Sequence, residues 1–162
     1  MTIELTTVQG LLGAWWCAYD EGDFDAWPAF FTADAHFSCR SDSGETAFEE
    51  FLRADVRGRD DVVAWQIAHR RNSPYPLRHM AANVHLTAAR PGEVDVRSDL
   101  FVTHVVEGAV VNLSTGVVVG TVRADDAHGG GRGGTPRFAD LRLVLDFTDS
   151  VTFTDATRRE PA

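Results

Sequence analysis

Lysine does not occur in the 162 residues; all fifteen basic side chains are arginine. That absence excludes a Schiff-base lysine, a phosphate-loop lysine and a lysine general base together. Long apolar runs are also lacking: none approaches the ~20 residues that a membrane-spanning helix needs. The opening MTIELTTVQG has neither the basic start nor the apolar stretch of an export signal. The two cysteines, Cys17 and Cys39, form no CxxC pair and are too few for a disulfide framework. A cytoplasmic chain without a membrane partner is therefore expected. No HxH or HExxH spacing points to a metal, and the CxH and CxxH pairs of a Rieske cluster are missing, so neither metal nor cofactor is expected. With a formal net charge of −9 the chain has no cluster of cations to displace counterions, which argues against a nucleic-acid partner.

What is present reads as one globular domain spanning residues 1–162. Apolar residues make up 44% and charged residues 24%, close to the average for soluble domains, and the length suffices for one sizeable core. Arginine in place of lysine, with abundant Ala, Val, Asp and Gly, is the composition of a GC-rich bacterial genome. In TTVQGLLGAWWCAYDEGD, the residues Val8, Leu11, Leu12, Trp15, Trp16 and Tyr19 recur at intervals of three and four, the stripe of an amphipathic helix that Gly22 ends. Asp23 is placed to cap a second short helix. A third helical region, ETAFEEFLRADVRGRDDVVAWQIAHR, breaks near Gly58 and closes at Asn72, Ser73, Pro74 and Pro76.

After Pro76 the period changes to two. Residues 79 to 88, 93 to 107, 109 to 124 and 137 to 153 read as four long strands, and the glycine-rich run DDAHGGGRGGTP, 125–136, reads as a flexible hairpin loop. Helices first and antiparallel strands afterwards predict an α+β domain. Alternation places Leu100, Val102 and His104 on the most apolar strand face, expected to line a concave interior, and puts His79, Ala81, Asn83 and His85 on one side of the preceding strand. An imidazole in an apolar hollow needs a hydrogen-bonding partner, and Asp20, at the border of the helical stripe, is the nearest by pattern. A carboxylate with two histidines would be a general acid/base set active near neutral pH; the plainer alternatives are a helix-end ion pair for Asp20, a strand opener for His79 and a satisfied core histidine at 104. Trp16, Trp65 and their aromatic neighbours are either a substrate wall or ordinary helix-to-sheet core.

The stretch AYDEGDFDAWPAFFTADAHF resembles the first two helices of the SnoaL-like branch of the nuclear transport factor 2-like superfamily. This resemblance implies a cone in which three or four helices pack inside a strongly curved, mostly antiparallel sheet, open at one end and associating as a homodimer or homotrimer. Two groups of that superfamily compete. In scytalone dehydratase a Tyr-Asp pair ends the first helix, matched by Tyr19 and Asp20, and the two catalytic histidines fall on His79 and His104; a second tyrosine is replaced by Cys39. That resemblance implies a cofactor-independent dehydratase or isomerase acting on a hydrophobic carbonyl compound, polyketide-like or steroid-like. Trp16, Cys39, Trp65, Asn83, Leu100 and Val102 would then contact the substrate. LRHMAANVHL and PRFADLRLVLDF resemble strands of the β subunit of ring-hydroxylating dioxygenases, a scaffold whose chemistry belongs to a Rieske-type α partner.

Overall fold

The computed structural model describes residues 2–125 and 134–152. Helix α1, Leu5–Glu21, buries Val8, Leu12, Trp15, Trp16 and Tyr19 along the predicted stripe. Gly22 ends it in the left-handed region at φ 70°. There the Gly22 N–H reaches the Tyr19 carbonyl, and the Asp23 N–H reaches the Ala18 carbonyl at 2.9 Å, which closes the last turn. The Asp23 side chain caps nothing: the expected second helix is a single 3-10 turn, Trp27–Phe30, begun from Ala26.

A strand that alternation did not reveal follows at once. Strand β1, Phe31–Ser41, is preceded by so many apolar residues that its period is hidden in a continuous run. The third helical region does break at Gly58, but its first half holds only one turn, α2, Glu49–Leu52, and a short strand β2, Ala54–Arg57. Its second half is α3, Arg59–Arg71, with Asp60 and Asp61 in the first turn and His69, Arg70 and Arg71 in the last, matching the helix dipole at both ends. The long strands are β3, Leu77–Arg90; β4, Glu93–Val106; β5, Ala109–Asp125; and β6, Thr135–Asp146. Residues 126–133 of the expected glycine-rich loop lie outside the described residues; β5 and β6 pair on either side of it, Asp125 opposite Thr135.

The six strands form one sheet in the order β2-β1-β6-β5-β4-β3, antiparallel except for the parallel pair β1 and β6. Helix α1 lies against the concave side, where Trp15 meets Phe31 and Phe138 edge to face, and Val94, Val96, Val118, Val122 and Leu141 complete the core. Strands β5 and β6 approach closely at two glycines. A Cβ on Gly116 would stand 2.4 Å from the Val144 carbonyl oxygen, and one on Gly120 2.4 Å from that of Asp140. These two positions let β6 fold over β5 as closely as it does. The β3 edge carries a bulge: Ala82 faces Asp99, His85 faces Arg97, and Asn83 between them has φ 50°. One extra residue reverses the alternation, so Val84 and Leu86 pack inward while Asn83 and His85 are exposed, the opposite of the facing expected from the sequence.

Gly120→Ala is expected to destabilise the fold by about 1–3 kcal/mol in urea unfolding, because backbone and not a yielding side chain occupies the space. Gly10→Ala on the open face of α1, where nothing lies within 4 Å, should instead stabilise by roughly 0.5–1 kcal/mol. Equal effects at the two sites would refute the close-approach account.

Candidate active site

The last turn of α1 ends in Tyr19 and Asp20. A carboxylate is disfavoured at a helix C-terminus, where backbone carbonyls already present negative charge. Arg70, buried at the end of α3, answers this: Nε–H donates to the Tyr19 carbonyl and Nη2 to that of Asp20, each at 2.7 Å, while Nη1 donates to the Pro74 carbonyl at 3.0 Å. With its backbone so pinned, Asp20 turns its side chain toward β3. That strand is the sheet edge, and its outward N–H groups have no strand to bond. The His79 N–H donates to Asp20 Oδ2 at 2.9 Å, and the ring Nδ1–H donates to Oδ1 at 2.6 Å. The imidazole also stacks on Trp16, with centroids 4.2 Å apart and planes within 1°, and meets Tyr19 edge-on. Among the described residues, His79 Nε2 has no hydrogen-bond partner.

His79 forms part of the wall of a cavity of about 450 Å³ between the helices and the concave sheet. The expected residues Trp16, Tyr19, Cys39, Trp65, Leu100 and Val102 line it, as do Phe37, Leu77, Ser114 and Leu143. Phe48, Phe51, Leu113 and Phe147, all partly exposed, stand at its mouth. Among the described residues, no arginine, aspartate or glutamate lines the cavity, and Asp20 reaches it through His79. Burial pushes the Cys39 thiol up to about 12, with the Glu49 charge adding to it, so Cys39 is a neutral filler and no nucleophile.

Two sequence-based placements need correction. His104 is half-buried beyond Leu77, opposite it in the β3–β4 ladder, and does not line the cavity or meet Asp20; Asp20 is taken by His79. Asn83 is turned out by the bulge and donates to Asp99 at 2.6 Å. Trp27 and Phe31 are fully buried helix-to-sheet core outside the cavity lining. His36 lies on the face of β1 opposite Phe37 and Cys39, bonded to Asp140 and Asp55 at 2.8 Å each, where it ties three strands together. Among the described residues, no three His, Cys, Asp or Glu side chains gather to hold a metal ion.

One site residue escaped the sequence reading. His69 lines the cavity, stacked between Phe51 and Trp65 at centroid distances of 4.3 and 4.8 Å, with Nδ1 hydrogen-bonded to the Tyr19 hydroxyl. Its signal was there: it follows Trp65 by four residues and Val62 by seven, on the buried stripe of α3. Burial holds its pKa down to about 4, helped by the charges of His79 and Arg70. Burial likewise raises the Tyr19 phenol well above its usual range, so both partners are neutral.

The family model described as a SnoaL-like domain matches residues 4–156. The chain belongs to the SnoaL-like family. Solved structures agree on the fold of this SnoaL-like chain. A nuclear transport factor 2-like protein with a cystatin-like fold from Novosphingobium aromaticivorans superposes with a TM-score of 0.67 at 16% identity, over 95% of this chain and 88% of that one. The β subunit of benzoate 1,2-dioxygenase from Burkholderia mallei gives 0.63 at 22% identity, over 90% and 92%. A provisionally assigned scytalone dehydratase from N. aromaticivorans gives 0.65 at 16%, over 91% and 87%. No curated protein is a significant sequence match. At these identities the structural likenesses establish the fold alone.

An unfolded histidine takes its proton near pH 6.5, whereas His69 in the fold takes it only near pH 4. Between those values the unfolded chain holds the extra proton, so His69 lowers stability as pH falls, by up to about 1.4 kcal/mol per unit. His69→Phe keeps an aromatic ring in the stack and should flatten this slope in urea unfolding measured at steps across that window; an unaltered slope would show that His69 is protonated in the fold.

Proposed function

We propose that the chain is a cofactor-independent lyase or isomerase for an apolar carbonyl compound, with Asp20 and His79 as its acid/base unit. The observation that carries this reading is His79 Nε2: the ring is held by two bonds to one buried carboxylate and by the Trp16 face, and its only unbonded nitrogen borders a hollow of hydrocarbon. With the ring proton on Nδ1, the Nε2 lone pair can take a proton from carbon adjacent to a carbonyl. The positive charge that the ring then carries is offset by Asp20, which also keeps the tautomer. Returning that proton to a leaving hydroxyl on the β carbon completes dehydration; returning it to another carbon of the same enolate completes isomerisation. Among the described residues the lining carries no arginine, aspartate or glutamate, which favours uncharged substrates, because an anion entering there would lose its hydration without gaining an arginine.

This unit is smaller than the one expected from the sequence, since His104 has no part in it. Tyr19, beside His79, remains the group to meet the substrate oxygen. Self-association through the outer face of the sheet accords with the exposure of the cross-strand neighbours Met80 and Phe101. The likeness to a dioxygenase β subunit supports a second reading, in which the dyad merely clamps α1 to β3 and a Rieske-type α chain is the partner.

The two readings part on a proton-exchange assay. In D2O, followed by NMR, the wild-type chain should accelerate exchange of the α-hydrogens of fused-ring ketones such as 1-tetralone and 2-tetralone. His79→Gln and Asp20→Asn, checked for intact folding by thermal unfolding, should lose roughly 10²–10⁴ of that acceleration. No acceleration by the wild type, together with a stable complex on co-expression with a Rieske-type α subunit, would establish the scaffold instead.

A further inference from the structure

The Tyr19–His69 pair has a direction. His69 is neutral, so its ring carries one proton on one of two nitrogens. Its Nε2 is buried with no hydrogen-bond partner, and its Nδ1 is in contact with the Tyr19 oxygen. A proton on Nε2 would be an orphan donor, at a cost of about 1–3 kcal/mol, while a bare Nε2 leaves only an unfilled acceptor, which proteins tolerate more readily. The proton therefore belongs on Nδ1, and the Tyr19 oxygen is its acceptor. Ser73, beside the phenol, donates its hydroxyl proton to the His69 carbonyl at 2.8 Å and so does not compete with His69 as donor to the Tyr19 oxygen.

We propose that His69 is a positioning residue: by donating Nδ1–H to the Tyr19 oxygen, it commits the Tyr19 O–H to the cavity, where it is the donor for a ligand oxygen beside His79. A carbonyl oxygen entering the cavity would take that proton as its hydrogen bond. A phenol whose oxygen already accepts a hydrogen bond is the stronger donor. The stack between Phe51 and Trp65 keeps the imidazole plane in register with Tyr19, and burial keeps it from becoming a cation that would hold the phenol by charge alone. The use of this donor in turnover rests on the reading of Asp20 and His79 as the acid/base unit; the direction of the hydrogen bond does not.

The deciding experiment is NMR of the ¹⁵N-histidine-labelled chain near neutral pH, with the His69 signals assigned by their loss in His69→Asn. A protonated, pyrrole-type Nδ1 and a bare, pyridine-type Nε2 are expected; the reverse assignment overturns the proposal. Ligand affinity supplies an independent sign. Binding of 9-fluorenone and of fluorene, which lacks the carbonyl, is read by quenching of tryptophan fluorescence, and the ratio of the two affinities isolates the donor. Tyr19→Phe should lower that ratio about tenfold, as loss of one hydrogen bond does. His69→Phe should lower it severalfold, and His69→Asn, whose amide can replace the Nδ1 donor, should recover part of the loss. If His69 were instead the acceptor, its removal would free the Tyr19 proton and raise the ratio, which sinks the proposal. Should His79→Gln exchange ketone hydrogens as fast as wild type while Nδ1 proves protonated, the catalytic reading falls and the hydrogen-bond direction stands.

Discussion

The carboxylate of Asp20 joins the end of a helix to the open edge of a sheet, and the rest of the site is arranged around that junction. Its two oxygens take one backbone N–H and one ring N–H from the same residue, so His79 is fixed in position and in tautomer at once. Such a bond is tenable at a helix C-terminus only because Arg70 lies on the neighbouring carbonyls. Removing any of the three leaves a buried polar group without a partner, which is the costly kind of loss in a protein interior.

Around this junction the cavity is built from two layers of aromatic stacking. Trp16 backs His79, while Phe51 and Trp65 enclose His69. Phe51 is held by the one-turn helix α2, whose Glu49 is buried and accepts hydrogen bonds from both the N–H and the hydroxyl of Ser41 at the end of β1. A ligand therefore meets mostly aromatic and aliphatic faces and few polar atoms, as expected of a site that selects by shape and orients by a few hydrogen bonds.

Helix α1 and the long strands were legible because their periods are clean: the stripe from Val8 to Tyr19 and the alternation of β4 survive intact in the structure. Strand β1 was not, since Phe30 to Ala33 gives no alternation to read, and β2 is too short to carry a pattern. The helix-end pair of Tyr19 and Asp20 and the histidine that opens β3 could be singled out from the sequence. Which histidine meets Asp20 could not. Alternation tells which face a residue occupies but not how far along the strand the cavity extends, and His104 lies on the expected face past the cavity's end. Asn83 failed for a different reason, a bulge that inverts the pleat, and His69 was overlooked because it sits within a charged run, HRR, whose arginines mask the buried helical face.

The parallel pairing of β1 with β6 sets an order of events for the nascent chain. His36 and Asp140, neighbours in that ladder, are separated by most of the polypeptide, so the loop they close is among the longest the chain can form and its entropy is paid late. Helix α1 has no complete surface to settle on until β6 is in place. The hollow beside His79 is thus closed late in folding, and an intermediate that lacks β6 would expose its aromatic walls to the folding machinery of the cell.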